Sequence, residues 1–317
     1  MNEKTISNGV NDLIIIGGGP AGIAGGIYAA RKCLKTILIA ETIGGQSTES
    51  EGIENWIGTP KISGADLAKS LEAHLDAAKR DVLEVVKDRV VSVEKTGDGF
   101  LAKTKAGKEF NARSILIASG ATRRTLDIPG AHLFENKGVT YCASCDGPLF
   151  SGMDVAVIGG GNAGFETAAQ LLAYAKSVTL IHRHKDFKAD PITVAAVLAH
   201  PNMRTLTHVE PTEIKGEKFV TGLTYKNKDS GETAELSVSG IFVEAGVIPS
   251  TDFARSLVSL DTVGRITVDA KNQRTSLNGV WAAGDCTDEL YHQNNIAAGD
   301  GVKALEDLYL WLKKQPR

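Results

Sequence analysis

The chain has 317 residues and a nearly balanced charge, since 35 basic and 38 acidic side chains give a net charge of -3. Well-mixed charge of this kind argues against nucleic acid or an anionic membrane surface as the partner. The length exceeds what one hydrophobic core usually serves, so we expect two domains, with small molecules or proteins as partners.

The N-terminal stretch Met1–Asn11 is polar and lacks the apolar core that a secretory signal requires. No apolar run approaches the roughly 18 residues that span a bilayer. Of the four cysteines, two stand three positions apart and two are scattered, which is typical of a reducing compartment. We therefore expect a cytoplasmic protein that does not enter membranes.

The first predicted element is a short apolar strand, Leu13–Ile16, of the kind that is buried on both faces of a parallel sheet. The turn Gly17–Gly22 follows, and its glycines permit a tight turn, close approach of the backbone to a pyrophosphate, and tight helix-strand packing. An alanine-rich helix and a second strand, Thr36–Ala40, come next. Glu41 then stands where an acid receives hydrogen bonds from ribose hydroxyls. The series predicts a dinucleotide site, and the alternative is a glycine-rich loop that only packs.

The next segments extend this first domain. Residues 64–80 carry apolar side chains at helical spacing, which predicts an amphipathic helix. Residues 82–110 alternate between apolar and polar, with glycine turns, which predicts a small antiparallel sheet. Residues 114–118 predict another buried strand, and Ile128–Gly130 marks a linker.

Two thiols, Cys142 and Cys145, are spaced so that they can close a small disulfide ring that is easily reopened. A Cys-x-x-Cys pair lowers a thiol pKa from about 8.5 toward about 7, which favours thiol-disulfide exchange. Asp146, directly after the second sulfur, is a candidate proton carrier. The alternatives are half of a zinc site or two buried cysteines beside an Asp-Gly turn. Zinc needs four ligands and no second Cys-x-x-Cys is present, so we predict no metal.

After the cysteine pair the chain repeats its first pattern. A strand at Val155–Ile158, the glycine turn Gly159–Gly164, a helix and a strand at Val178–Ile181 follow in order. When the two turns are aligned on their first glycines, 142 residues apart, Arg183 falls in register with Glu41, and each lies 24 residues downstream.

The charges at these two matched positions are opposite. The first unit offers an acid to a ribose, whereas the second offers Arg183, His184, Lys185 and Lys188 around the place of a 2′-phosphate. We therefore expect two different dinucleotides. The alternative for the basic cluster is a solvated face beside the strand.

Residues 204–245 predict short strands joined by glycine turns. The stretch Gly279–Asp285 predicts a strand and then a turn, and Asp285 stands where a helix could begin. Its carboxylate either caps that helix or accepts a hydrogen bond from a cofactor hydroxyl. The last predicted helix, Ile296–Leu312, is interrupted by two glycines near its start. The whole pattern predicts an α/β fold of two Rossmann-like dinucleotide-binding domains with parallel sheets, one inserted in the other.

From Asp12 onward the chain resembles the low-molecular-weight thioredoxin reductases and the C-terminal part of alkyl hydroperoxide reductase flavoprotein subunits. The motifs that carry the resemblance are GGGPAG, GGQ followed by IENWIG, CASCDGP, GGGNAG, HRHKDFKAD and TSLNGVWAAGDCT. It implies an FAD-binding domain made of residues 1–121 and 247–317. It also implies an NAD(P)H-binding domain, residues 122–246, that carries the redox cysteines.

The resemblance implies specific residues for each cofactor. FAD is expected on Gly17, Gly19, Pro20, Ala21, Gly22, Glu41, Gly45, Gln46, Asn55, Gly120, Gly284, Asp285 and Gln293. NADPH, or NADH, is expected on Gly161, Asn162, Ala163, Arg183, His184 and Lys188. Cys145 would lie next to the flavin, and Cys142 would attack the disulfide of a thioredoxin-like or peroxiredoxin-system protein. A homodimer is also implied.

Three features depart from the thioredoxin reductase pattern. His184 and Lys188 stand where that family commonly has arginines, which grip a phosphate more firmly. Ile57 replaces a frequent proline. The residues flanking the cysteine pair are similar to the hydroperoxide reductase subunits, which carry an extra N-terminal thioredoxin-like module that we do not expect in this chain.

The implied activity is a disulfide reductase: a hydride passes from a nicotinamide to the flavin, and two electrons then pass to the cysteine pair and on to a partner protein. Because a disulfide in the nicotinamide domain cannot face flavin and partner together, we expect a domain rotation about the linkers near 119–127 and 245–250. The rivals are a flavin-dependent thiol oxidase that uses oxygen, an NADH-dependent reductase of a peroxiredoxin system, and a redox sensor without turnover. Asp146, where the oxidases tend to have histidine, and the basic cluster argue against the oxidase.

Overall fold

The computed structural model describes residues 10–50, 52–97 and 99–315, with the side chain of Glu49 left out. The chain divides into two compact units. Unit 1 comprises Met1–Glu51, Trp56–Thr122 and Ile248–Arg317, and unit 2 comprises Gly52–Asn55 and Arg123–Val247. In the described residues, no helix is long and apolar enough to cross a membrane.

Unit 1 is built on a seven-stranded sheet. Numbered in chain order through both units, its elements are β1 (Asn11–Ile16), α1 (Pro20–Arg31), β2 (Thr36–Ala40), α2 (Gly64–Lys79), β3 (Leu83–Lys87), β4 (Val90–Thr96), β5 (Gly99–Thr104), β6 (Glu109–Ile117), β17 (Val280–Ala282) and α6 (Asn294–Lys314). The strand order is β3-β2-β1-β6-β5-β4, and β17 also pairs with β6.

Strand β1 shows why the apolar run forms a central strand. Leu13 and Ile15 belong to the core on one face of the sheet, together with α1 and α6, whereas Ile14 and Ile16 belong to the core on the other face. Its neighbours β2 and β6 both run parallel to it. The predicted α/β class with parallel strands is confirmed.

Two predictions for unit 1 need correction. Residues 82–110 do contain the predicted antiparallel pairing, between β4 and β5 and between β5 and β6, but these strands belong to the main sheet, and β3 pairs in parallel with β2. Helix α6 runs without interruption through Gly299 and Gly301. A Cβ at Gly301 would lie 2.2 Å from the carbonyl oxygen of Ala21, so this glycine lets α6 approach the backbone of α1.

Unit 2 contains a five-stranded sheet and a three-stranded antiparallel sheet. Its elements are β8 (Val139–Thr140), α3 (Ala143–Asp146), β9 (Asp154–Ile158), α4 (Asn162–Leu171), β10 (Ser177–His182), α5 (Pro191–Leu198), β11 (Met203–Thr207), β12 (Val209–Gly216), β13 (Val220–Asn227), β14 (Thr233–Ser237) and β15 (Gly240–Val243). The larger sheet has the order β11-β10-β9-β15-β8 and the smaller one the order β12-β13-β14. Strands β7 (Ala121–Arg123) and β16 (Val247–Pro249) lie where the chain passes from one unit to the other.

Helix α5 was not foreseen by the sequence analysis. Its N-cap is Asp190, whose carboxylate accepts hydrogen bonds from the backbone N–H and the hydroxyl of Thr193. Pro191 at the first helical position is compatible with a helix start, because its missing N–H would have no partner there.

Candidate functional site

A cavity of about 640 Å³ opens at the carboxyl ends of the parallel strands in unit 1. The first glycine turn forms one wall: Gly17 has a φ of 118°, and a Cβ there would lie 2.1 Å from the carbonyl oxygen of Ala118. A Cβ at Gly19 would meet its nearest neighbour only at 4.0 Å, at Gly45 Cα, so the backbone is open toward the cavity. The N-terminus of α1, at Pro20 and Ala21, also lines it, and free helix amides favour phosphate.

Glu41 lies at the edge of this cavity, after β2. Arg89 lines the same edge and approaches Glu41 with 4.0 Å between Nη1 and Oε2. Both side chains are exposed, so the carboxylate stays free to accept ribose hydroxyls. The sequence analysis identified Glu41 but not Arg89.

At another part of the lining, a short 3₁₀ segment that begins at Gly45 contacts the start of α6. The hydroxyl of Ser47 donates to Asn294 Oδ1 at 2.8 Å, and the side-chain amide of Gln46 donates to the carbonyl of Ala121. The turn after β17, which contains Gly284, supplies Asp285. The helix expected at Asp285 is absent, since α6 begins only at Asn294.

Most of the residues proposed for FAD line this one cavity. They are Gly17, Gly19, Pro20, Ala21, Glu41, Gly45, Gln46, Gly120, Gly284 and Asp285. Gly22 lies behind the turn, where a Cβ would be 1.9 Å from the carbonyl oxygen of Gly17, and it serves packing. Asn55 and Gln293 do not line the cavity, and Gln293 is the N-cap residue of α6. The sequence analysis missed other lining residues, among them Asp88, Arg89, Lys105, Ser119, Asp252 and Asn294.

Unit 2 repeats the glycine turn between β9 and α4. Gly159 has a φ of 130°, and its N–H donates to the carbonyl of Ile181 at 3.0 Å. No atom would lie within 4 Å of a Cβ at Gly161, so the N-cap of α4 is open. Asn162 Oδ1 accepts from the N–H of Asp190 at 2.8 Å, which ties the turn to the segment before α5.

The basic residues after β10 gather beside this second turn. The N–H of Lys188 donates to the carbonyl of Gly160 at 2.9 Å, which places Lys188 next to Gly161. Arg183 Nε donates to His184 Nε2 at 3.2 Å. Desolvation, then the charges of Arg183 and Lys188, lower the pKa of His184, so the neutral imidazole is favoured. The structure thus brings together the residues that the sequence analysis assigned to a phosphate-bearing nucleotide.

Two residues near this cluster were not foreseen. Asp229, in the turn after β13, pairs with His208 at 2.8 Å and with Lys185 at 3.4 Å. Lys185 is therefore held by an acid. Lys228, next to Asp229, adds positive charge near His184. The sequence analysis did not identify the charges of Lys228 and Asp229 because their turn lies more than forty residues after β10.

The two cysteines form a disulfide, with a Cα–Cα distance of 5.3 Å between Cys142 and Cys145. Cys142 is the N-cap of α3, and its Sγ accepts from the N–H of Cys145 at 3.2 Å. The hydroxyl of Thr140 donates to Asp146 Oδ2, so the carboxyl group is fixed beside the cysteine turn. Both sulfur-bearing residues are partly exposed.

The other cysteines have different surroundings. Cys286 is buried, and desolvation raises the pKa of its thiol to about 11, so it stays protonated. Cys33 is exposed at the end of α1 with a φ of 57°. Among the described residues, no group of His, Cys, Asp and Glu side chains could hold a metal ion.

The family model described as pyridine nucleotide-disulphide oxidoreductase matches residues 11–301. The chain belongs to this family. Solved thioredoxin reductases from Streptococcus pyogenes and Giardia duodenalis are similar to it, with TM-scores of 0.88 and 0.90 and identities of 32% and 33%. The alignments cover 98% and 96% of this chain and 100% and 99% of those chains.

Among curated proteins, an alkyl hydroperoxide reductase subunit of Escherichia coli is 40% identical over 295 residues, which are 92% of this chain and 56% of that protein. A Bacillus subtilis protein named NADH dehydrogenase is 39% identical over 293 residues, 92% of this chain and 57% of that protein. The chain thus spans little more than half the length of these relatives. The name of the matched family denotes oxidoreductases that use a pyridine nucleotide and a disulphide.

The residues present fit an FAD in unit 1. The turn backbone at Gly19 is open toward the cavity, the N-terminus of α1 lines it, and Glu41 is exposed at its rim. These are the donors and acceptors that a pyrophosphate and a ribose require. In unit 2 the open turn at Gly161 and the cations beside it fit a pyridine nucleotide in the same way.

Proposed function

We propose that this chain is an NAD(P)H-dependent protein-disulfide reductase of the thioredoxin reductase type, which passes electrons to a thioredoxin-like protein. The observation that carries the proposal is the Cys142–Cys145 disulfide, which lies in the same unit as the second glycine turn and its basic cluster. A disulfide that serves only stability has no need of the adjacent, hydroxyl-held Asp146.

FAD, when bound in the unit 1 cavity, would supply the conversion of a hydride into two electrons for a disulfide. The chain's own residues hold it: the turn at Gly17 and Gly19 faces the pyrophosphate, Glu41 accepts the ribose hydroxyls, and Asp285 accepts from a cofactor hydroxyl. The segment at Gln46 lies against the same cavity.

The cysteines divide the exchange between them. Once the pair is reduced, the Cys142 thiolate attacks the partner's disulfide, which forms a mixed disulfide and releases one partner thiolate. The Cys145 thiolate then attacks Cys142 Sγ, which releases the second partner thiolate and restores the intramolecular disulfide. The N–H of Cys145, 3.2 Å from Cys142 Sγ, favours negative charge on that sulfur. Asp146 supplies or takes the proton that accompanies each thiolate.

The nucleotide that we propose is NADPH. Arg183 and Lys188 offer charge to a 2′-phosphate, and Lys228 adds to it. The lowered pKa of His184 weakens that preference, because the imidazole is neutral over most of the physiological range. NADH therefore remains a second substrate of this site.

A second candidate is an NADH-using reductase of a peroxiredoxin system. It is favoured by the identity to the alkyl hydroperoxide reductase protein of Escherichia coli and to a protein named NADH dehydrogenase. The same proposal includes four further points. They are a homodimer, a cytoplasmic location, hinges near residues 119–127 and 245–250, and contacts of Asn55 and Gln293 with FAD.

One anaerobic experiment tests the function. The FAD-loaded protein is mixed with NADPH or NADH, the flavin absorbance is followed, and a thioredoxin or a thioredoxin-like donor of a peroxiredoxin is then added. We expect reduction by NADPH and reoxidation by the disulfide protein. The variants Cys142→Ser and Cys145→Ser should keep the first step and lose the second. Collapse of flavin reduction in both variants would show that the cysteines serve structure.

A further inference from the structure

Glu244 occupies the position in unit 2 where the order of the sheet reverses. It is the residue directly after β15, and its N–H donates to the carbonyl of Ile158, at the end of β9, at 2.8 Å. The sheet has the order β11-β10-β9-β15-β8. After β9 the chain continues outward on one side of that strand, through β10 and β11, and then returns to its other side as β15. The strand order therefore reverses at the β9–β15 junction. Ligands of open α/β sheets bind outside the carboxyl ends of the strands at such a switch point.

The glutamate is fixed against the glycine turn. A Cβ at Gly159 would lie 2.3 Å from the carbonyl oxygen of Glu244, so the two backbones are in close approach. The side-chain Oε1 accepts from the buried hydroxyl of Thr167 at 2.7 Å, and Thr167 belongs to α4, which begins at that turn. The carboxyl group is therefore held between β15 and α4.

The surroundings disfavour the charge of this acid. Within the described part of the chain, Glu244 forms no ion pair, and its hydrogen-bond donor is the neutral Thr167. Desolvation raises its pKa to about 6; the hydrogen bond from Thr167 and the charge of Arg123 act in the opposite sense, and the charge of Glu166 adds to the rise. A desolvated acid at the crevice of a sheet, without an ion-pair partner among the described residues, is typical of a residue retained for a ligand.

We propose that Glu244 is a specificity-determining residue for the nicotinamide half of the pyridine nucleotide and favours the oxidised, cationic ring over the reduced, neutral one. The inference rests on the proposed nucleotide site. The adenosine half is assigned to Arg183 after β10, on one side of the glycine turn, so the other half extends toward the β9–β15 junction. A carboxylate there attracts a positive ring and contributes nothing comparable to a neutral one.

Equilibrium binding tests this without turnover. The ligands are NADP⁺; 1,4,5,6-tetrahydro-NADP, which has an uncharged ring and cannot give up a hydride; and 2′,5′-ADP, which lacks the nicotinamide half. Calorimetric titration at pH 8 compares the FAD-loaded wild type with Glu244→Gln. The matched control is Glu217→Gln, which removes an exposed acid of unit 2, in the turn between β12 and β13, that does not act on Glu244.

In Glu244→Gln we expect about tenfold weaker binding of NADP⁺, the size of one partly screened charge pair. Binding of tetrahydro-NADP should change by less than about threefold, and binding of 2′,5′-ADP should not change. The control should leave all three affinities intact. Equal weakening of NADP⁺ and the neutral analogue, or no weakening of either, would overturn the role of Glu244 alone. A wild type that binds none of the three ligands would overturn the proposed function and this inference with it.

Discussion

Replacement of Glu244 by glutamine should stabilise the protein at neutral pH and leave its stability nearly unchanged in acid. Burial raises the pKa of this carboxyl group from 4.5 to about 6. The folded state therefore holds the proton more tightly than the unfolded state. The protonated carboxyl group therefore contributes fully to the free energy of unfolding below about pH 4.5, and this contribution is lost as the pH rises through about 6. Above that pH the charged glutamate disfavours folding.

The size of the expected stability difference follows from the shift in the pKa of Glu244. A rise from 4.5 to about 6 is a change of about 1.5 pKa units, and each unit is worth about 1.4 kcal/mol, which gives about 2 kcal/mol. Glutamine keeps a carbonyl oxygen that can accept the hydrogen bond of Thr167, so the substitution should not cost that hydrogen bond. The free energy of unfolding of Glu244→Gln should thus exceed that of the wild type by about 2 kcal/mol at pH 8.

Urea unfolding at pH 8 and at about pH 4 measures this difference. Far-UV circular dichroism is the suitable signal, because the three tryptophans lie in unit 1 whereas Glu244 lies in unit 2. Glu217→Gln serves as the control, with no gain at either pH, because its charge does not act on Glu244. A gain of equal size at both pH values, or a loss at pH 8, would refute the argument, because it would mean that the ionised carboxylate is not penalised in the folded protein.

Three further predictions concern other parts of the chain. Cys145→Ser should accumulate a mixed disulfide between Cys142 and the partner protein, visible by non-reducing electrophoresis, and its absence would contradict the assigned order of attack. Arg183→Ala should lower the ratio of kcat/KM for NADPH over NADH by roughly ten- to hundredfold, and an unchanged ratio would mark the cluster as a solvated face. Gly301→Ala should destabilise the protein by about 1–3 kcal/mol because it forces α6 away from α1, whereas Gly299→Ala should stabilise it by up to about 1 kcal/mol. Thermal unfolding distinguishes the two glycines, and a shift of equal sign in both variants would refute the packing argument.

The sequence predicted those features that depend on neighbours in the chain. The apolar run at Leu13–Ile16 and the glycines after it determine strand, turn and helix within a short segment, and the second unit repeats the pattern. The same reasoning failed for α6, because local propensity disfavours glycine in a helix by about 1 kcal/mol. Only the three-dimensional structure shows that Gly301 faces the backbone of another helix while Gly299 faces open space.

The residues of the candidate sites divide in the same way: local spacing identifies some of them, and only the structure identifies the others. Glu41 and Arg183 follow a glycine turn at a fixed distance and could be found by counting residues. Arg89 and Lys228 approach those sites from turns that are distant in the sequence, and no local pattern indicates them. Glu244 did leave a signal, since a charged residue directly follows the apolar strand Gly240–Val243, but its importance depends on the strand order of the sheet.

The placement of unit 2 within the sequence of unit 1 bears on how the protein is made on the ribosome. Strand β17 and helix α6, which complete the core around α1, are translated after the whole of unit 2. Unit 2 can therefore finish folding first, while the earlier part of unit 1 waits with α1 lacking the helix that covers it. During that interval its apolar surface is a target for chaperones, and a translational pause near residue 247 would prolong the exposure.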